Sequence, residues 1–262
     1  MKTLGFTNPN RFLPTLALAM PTVRKLPGLY ASFILSSLLF ALGSSTKAAE
    51  AFWLDQYSAL GFSLTFQLDN QLKQMQREGA KYILLHSDIL PETFLRWFSW
   101  RARSSSQLKT VAWIQKPNKQ NLARIAAVDS LFALQVDDHF FANPPIPLAD
   151  IRSTLGNAEL WCSFQPRQYN WETASLCDQV DVQLYRLNCD DVMNKAYALG
   201  LIGRSRHALA VYDDGSKAAK KESNCVKERL AKTGNSTFVF KWANPEALIT
   251  HYASAIRSLF QP

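Results

Sequence analysis

From Ala51 onward the chain alternates short apolar runs with stretches of helical periodicity, and the alternation repeats eight times. The runs are AFWLDQY (51–57), KYILLHS (81–87), LKTVAWIQ (108–115), SLFALQV (130–136), AELWCSFQ (158–165), DVQLYRL (181–187), HALAVYDD (207–214) and TFVFKWA (237–243). Most are apolar at consecutive positions, as parallel strands covered on both faces require. After the first run the chain reads as a loop, and then the helix LDNQLKQMQREGA (68–80) closes on Gly79. A second helix opens at Pro91 and runs through ETFLRWFSWRAR, with Phe94, Trp97 and Trp100 read as its buried face. NKQNLARIAAV opens with an Asn cap at Asn118. The Pro-rich FANPPIPLAD leads into a short helix ending at Gly156, and helical patterns follow in CDDVMNKAYALGL, SKAAKKESNCVKERLAKTG and NPEALITHYASAIRSLF.

Eight β-then-α units describe an α/β fold, a small (β/α)₈ TIM barrel over residues 52–262. The rival, an open doubly wound sheet, lacks its usual phosphate loop: no strand is followed by G-x-G-x-x-G or a Walker sequence. No nucleotide or other cofactor is expected.

Residues 1–51 have a different character. Arg24 and Lys25 precede LYASFILSSLLFAL (29–42), and Ala49-Glu50-Ala51 has the A-x-A form of a leader-peptidase site. The apolar run is short for a membrane span, which needs about 20 residues. Residues 1–51 therefore read as a signal peptide, with Met20 as a second candidate start and a membrane anchor as the alternative. Either reading places the barrel outside the cytoplasm, secreted, periplasmic or tethered through its N-terminus.

Mapping the charge changes its meaning. The full chain carries +8, but its first 51 residues hold five basic groups and one acid, so the barrel retains only +4. KAAKK (217–221) is its one dense basic stretch, which argues against a nucleic-acid partner. Cys162, Cys177, Cys189 and Cys225 all lie in the barrel; in an oxidising compartment they form two bridges, with three connectivities open. The bland alternative leaves Cys162 as a small buried apolar side chain. No C-x-x-C occurs and the histidines are scattered, so no metal site is expected. Asn235-Ser236-Thr237 has the form of a glycosylation acceptor at a strand start.

Chemistry in this fold gathers where the strand C-termini converge. The fourth run ends in Asp137-Asp138-His139, and strand alternation places Gln135 and Asp137 on one face, against Leu134 and Val136. Asp137 is thus aimed inward, with Asp138 beginning the loop beside it. The same test groups Asp181, Gln183 and Tyr185 on the sixth strand and Tyr212 with Asp214 on the seventh. Trp53, Asp55, His86, Gln115, Gln165, Arg167, Lys241 and Trp242 also fall near strand ends. Acids and amides bond sugar hydroxyls, and aromatic rings stack on pyranose C–H faces, so this mouth suits a glycan. Glycoside hydrolysis needs two carboxyl groups, and Asp137, Asp138 and Asp214 are the catalytic candidates. Asp138, at the loop edge, is read as general acid and Asp137 as nucleophile or base. Trp53, His86, Gln115, Gln135, Gln183, Tyr185, Tyr212 and Trp242 are the substrate-binding candidates. The bland readings are a turn for Asp213-Asp214-Gly215, core filler for His86 and a supporting loop position for His139.

VAWIQKPN, ALQVDDHFF and DVQLYR resemble the third, fourth and sixth strands of the family-10-like glycosyl hydrolases, which are exported TIM-barrel proteins. A more distant similarity is to the hydrolase domain paired with poly-N-acetylglucosamine deacetylases, which also carries an Asp pair on strand four. The resemblance spans nearly all of the barrel, and Q-x-D-D-H-F is its most specific motif. It implies Asp137 and Asp138 as the catalytic pair, with Gln115, Gln135, Gln183 and Tyr185 lining the mouth. Two departures stand out: Asp129-Ser130 replaces the usual D-G before strand four, and Val182-Gln183-Leu184-Tyr185 replaces P-Q-x-Y. The expectation is a monomeric glycoside hydrolase acting on envelope or extracellular polysaccharide; the alternative is a non-catalytic carbohydrate-binding or scaffold barrel.

Overall fold

The computed structural model describes residues 50–185, 187–213 and 216–240, all within a unit spanning Ser45–Pro262. Residues 1–49 of the expected leader (1–51), Asp214, Lys241, Trp242 and the last helical pattern lie outside the described residues.

Eight parallel strands pair in chain order and close on themselves: β1 Ala51–Leu54, β2 Tyr82–His86, β3 Lys109–Ile114, β4 Ala133–Val136, β5 Glu159–Phe164, β6 Gln179–Gln183, β7 His207–Tyr212 and β8 Ser236–Phe240. The seam joins Ala51 to Phe238 and Trp53 to Phe240. The expected (β/α)₈ barrel is the observed one. Among the described residues the helices are α1 Gln56–Leu64, α2 Leu68–Arg77, α3 Glu92–Ser106, α4 Lys119–Ala126, α5 Asp138–Ala142, α6 Leu148–Thr154, α7 Trp171–Ser175, α8 Cys189–Ala198 and α9 Lys217–Leu230. None is long and apolar enough to cross a membrane.

Strand alternation divides the interior into two cores. Outward residues such as Phe52, Ile83, Leu85, Ile114, Val136, Phe164 and Val182 meet the helices. Inward ones, including Trp53, Leu84, Val111, Trp113, Trp161, Ala210 and Phe238, fill the barrel itself. Burying a large apolar side chain contributes about 1.5–3 kcal/mol, and Trp161 stacked on Phe238 at 5.6 Å is a packed plug, not a pore.

Three local readings are corrected, and a fourth pattern is explained. The first strand ends at Leu54, because Asp55 caps a helix where a loop was expected. Its Oδ1 accepts from the backbone N–H of Tyr57 and Ser58, which occupies a carboxyl expected near the mouth. On α3 the core takes Leu95, Phe98 and Ala102, so Trp97 and Trp100 turn outward at 40% and 57% exposure. The sixth strand lies two residues earlier at its start than DVQLYRL, with its parity unchanged. The glycosylation pattern is buried: Asn235 is 3% exposed and its Nδ2 donates to the carbonyls of Leu201, Arg204 and His207.

The caps at Asn118, Asn170, Asn188 and Ser216 close the N-termini of α4, α7, α8 and α9. The cysteines pair as Cys162–Cys177 and Cys189–Cys225, which selects one of the three open connectivities. The first bridge ties β5 to the chain just before β6, across the segment that carries Gln165 and Gln168.

Candidate functional site

The backbone N–H of Asp137 bonds the Ile114 carbonyl, so the β3–β4 ladder runs one residue past β4. That extension keeps Asp137 in the strand's alternation, on the inward side with Gln135. Asp138 then opens α5. Both acids are buried, at 3% and 4% exposure, although they stand at the strand end.

Their oxygens are held by neutral donors from the next two strands. Gln183 Nε2 lies 3.2 Å from Oδ1 of both Asp137 and Asp138. Gln165 Nε2 donates to Asp138 Oδ2, and Gln168 Nε2 donates to the Asp138 carbonyl at 3.1 Å. His139 Nδ1 is 2.9 Å from Asp137 Oδ2 and 3.3 Å from Asp138 Oδ1. One layer deeper, Asp181 is 1% exposed and receives Gln135 Nε2 on Oδ1 and Ser163 Oγ on Oδ2. Ser163 Oγ in turn accepts from Gln183 Nε2 at 2.9 Å.

Burial raises the Asp137 pKa from 3.8 to about 6, and the charge of Asp138 pushes it the same way; the His139 bond opposes both. Burial also holds the Asp181 carboxyl well above its ordinary range, against the Ser163 bond and with the charges of Asp137 and Asp138. His139 shifts up, chiefly through its bond to Asp137. Of the strand-four pair, Asp137 is thus the carboxyl whose proton affinity burial raises.

The other wall is aromatic. Tyr185, Tyr212 and Phe240 cluster with centroids 5.5–6.4 Å apart. Trp113 packs edge-on against Phe240 and 4.6 Å from His86. His86 Nε2 lies 3.1 Å from Asp88, whose Oδ2 also accepts the Gln115 backbone N–H. The bonds from His86 and the backbone hold the Asp88 pKa low against the effect of its burial.

The structure brings together Asp137, Asp138 and Gln183, and sets Tyr185 beside Tyr212. Gln115 follows β3, half-buried, beside Asp88. Trp53 and Gln135 are buried at 2% and 0% exposure and bonded to one another, with Gln135 reaching Asp181 rather than the strand-four acids. The expected Asp214 and Trp242 fall outside the described residues. Ser163 and Gln168 were missed, and Asp181 was placed on the right face without being given a part. The period-2 test applied to the fifth run would have found Ser163, since Trp161, Ser163 and Gln165 share one face.

Asp137, Asp138 and His139 each bring one potential ligand atom within 4.8 Å of the others. A Gln183 N–H already points at one oxygen of each carboxyl. The constellation is thus a hydrogen-bonded acid pair with an imidazole at its rim. A buried carboxyl with a pKa near 6 beside a second acid exchanges a proton readily near neutral pH.

No family model and no curated protein matches the chain. Among solved structures, carboxynorspermidine decarboxylase from Campylobacter jejuni is similar at 12% identity and TM-score 0.43, over 81% of this chain and 56% of that one. The 3-dehydroquinate dehydratase from Geobacillus kaustophilus HTA426 is similar at 10% identity and TM-score 0.49, over 82% and 93%. The chain thus spans little more than half of the decarboxylase. Likenesses of this order carry no chemistry across, and the barrel stands on its own strand pairing.

Proposed function

We propose that this chain is an exported glycoside hydrolase acting on envelope or extracellular polysaccharide, a distant relative of the family-10-like glycosyl hydrolases. The observation that carries the reading is the buried Asp137 carboxyl, whose proton affinity burial and the neighbouring Asp138 raise to a pKa of about 6, close to the Tyr185 side of the mouth. Amides and acids on β4, β5 and β6 offer hydroxyl partners, and Tyr185 and Tyr212 offer ring faces for a pyranose. The two disulfides suit an oxidising compartment outside the cytoplasm.

Asp137 and Asp138 present oxygens within 4.8 Å of one another. Carboxyls that flank a glycosidic bond stand about 5–5.5 Å apart in retaining enzymes and about 6.5–9.5 Å in inverting ones. The strand-four pair therefore works from one side of the bond. Asp137 donates the proton to the departing oxygen, and Asp138 sustains its proton affinity through like charge. The attacking water is activated by a second carboxylate; the sequence candidate for it, Asp214, lies outside the described residues.

Release of reducing ends from a panel of bacterial exopolysaccharides and peptidoglycan fragments tests the reading. Binding to one polymer without turnover, unchanged by removal of the acids, selects the non-catalytic carbohydrate-binding barrel instead.

A further inference from the structure

A chain of hydrogen bonds with a fixed direction runs beneath the strand-four acids. The indole of Trp53 can only donate, so Oε1 of Gln135 is its acceptor at 2.9 Å and Nε2 must face Asp181. On the other side, Gln183 presents Nε2 to Asp137 and Asp138; the reversed amide would set its carbonyl against two carboxyls. Ser163 accepts from that same Nε2, so its single proton goes to Asp181 at 2.7 Å. Both ends are thus fixed, and Gln135, Ser163 and Gln183 each donate toward a carboxyl.

We propose that Asp181 is a positioning residue for the strand-four acids: by accepting the Ser163 proton it holds the Gln183 amide with N–H, not carbonyl, toward Asp137 and Asp138. Asp181 does not touch a substrate. Its function is carried through Ser163 and Gln183 to the oxygens above. The assignment rests on the reading of Asp137 and Asp138 as the reactive pair, but its test needs no turnover. The titratable groups facing this array are Asp137, Asp138 and His139 after β4 and Tyr185 after β6; β5 contributes the neutral Ser163 and Gln165.

Asp181→Asn gives opposite outcomes for a relay and for a simple charge. Gln135 still requires an acceptor, so the new amide turns its oxygen to Gln135 and its N–H to Ser163. Ser163 then directs its proton at Gln183, which must present its carbonyl. That carbonyl abuts the two carboxyls and raises their proton affinity. With Asp181 ionised, loss of its charge alone acts in the reverse sense and lowers it; with Asp181 neutral, no charge is lost and the midpoint stays put.

The measurement is ¹³C NMR titration of the Asp carboxyls together with the His139 ring, in the full chain and in Asp181→Asn. The relay predicts a higher Asp137 titration midpoint in the variant and a lower His139 midpoint, as the imidazole loses its anionic partner. A lower Asp137 midpoint, or no change, overturns the proposal. Ser163→Ala alters no charge and serves if Asp181→Asn fails to fold. It cuts the link through which Asp181 holds Gln183, so the Asp137 midpoint rises as in Asp181→Asn; an unmoved or lower midpoint overturns the relay. Either result stands whether or not a glycan is cleaved.

Discussion

The indole N–H of Trp53 lies 2.9 Å from Oε1 of Gln135, a bond between β1 and β4 across 82 residues of chain. It decides which end of a buried amide meets Asp181, and so sets the polarity of the interior beneath the mouth. Trp53→Phe keeps an aromatic ring beside Phe238 and deletes the donor, together with part of the ring volume. Leaving the buried Gln135 oxygen unpaired costs about 1–3 kcal/mol. Urea denaturation of the variant should show that loss; a change under about 0.5 kcal/mol contradicts the role given to the bond.

His207 opens β7 on the outward side, with Tyr169 Oη 3.1 Å from Nε2 and Trp171 stacked parallel at 5.7 Å. Burial, and then the charges of Arg204 and Arg206, lower its pKa from 6.5 to about 4. The unfolded chain therefore takes up this proton first. The stability that His207 supplies is complete above pH about 6.5, and is lost as the pH falls through about 4, by up to about 3 kcal/mol. His207→Gln removes the titration while keeping an acceptor for Tyr169. Its melting temperature should fall less between pH 6.5 and 4 than that of the parent; parallel profiles would show that His207 does not drive the acid loss.

The two disulfides close loops of different size, 15 and 36 residues. Chain entropy makes their removal cost about 3 and about 4 kcal/mol respectively. Cys162→Ala with Cys177→Ala should in addition loosen the segment whose Gln165 and Gln168 hold Asp138. Hydrogen exchange across residues 165–178 should rise in that double variant and stay unchanged in Cys189→Ser with Cys225→Ser. Equal exchange in both would separate the bridge from the site.

Asn235 is a structural residue inside a glycosylation pattern. Its Oδ1 accepts from the Gly203 backbone and Thr233, while its Nδ2 serves three carbonyls. Expression in a glycosylating host should yield no glycan at Asn235 by peptide mass mapping. Asn235→Ala should cost about 2–4 kcal/mol, because several buried backbone groups lose their partner.

The barrel was legible because parallel strands under helices announce themselves as short apolar runs, and the period-2 test placed Gln135, Asp137, Asp181, Gln183 and Tyr212 on the inward face. Burial depth was not legible. Trp53 and Asp137 look equally mouth-like in the sequence and both are buried, but Trp53 packs in the apolar barrel interior while Asp137 joins the amides and His139. The buried face of α3 was misjudged because FLRWFSW offers two apolar stripes, and the core took Leu95 and Phe98 over Trp97 and Trp100. Proton affinity also escaped the sequence: it comes from the depth of Asp137 and from the amides around it, which several strands supply.

The most direct measurement is turnover on bacterial exopolysaccharides and peptidoglycan fragments by the parent chain, Asp137→Asn and Asp138→Asn, followed across pH. The account predicts reducing-end release by the parent, declining above pH about 6 as Asp137 gives up its proton. It predicts a loss of more than about a hundredfold in Asp137→Asn. Cleavage that persists undiminished in both variants, or polymer binding with no cleavage by any of the three, contradicts it.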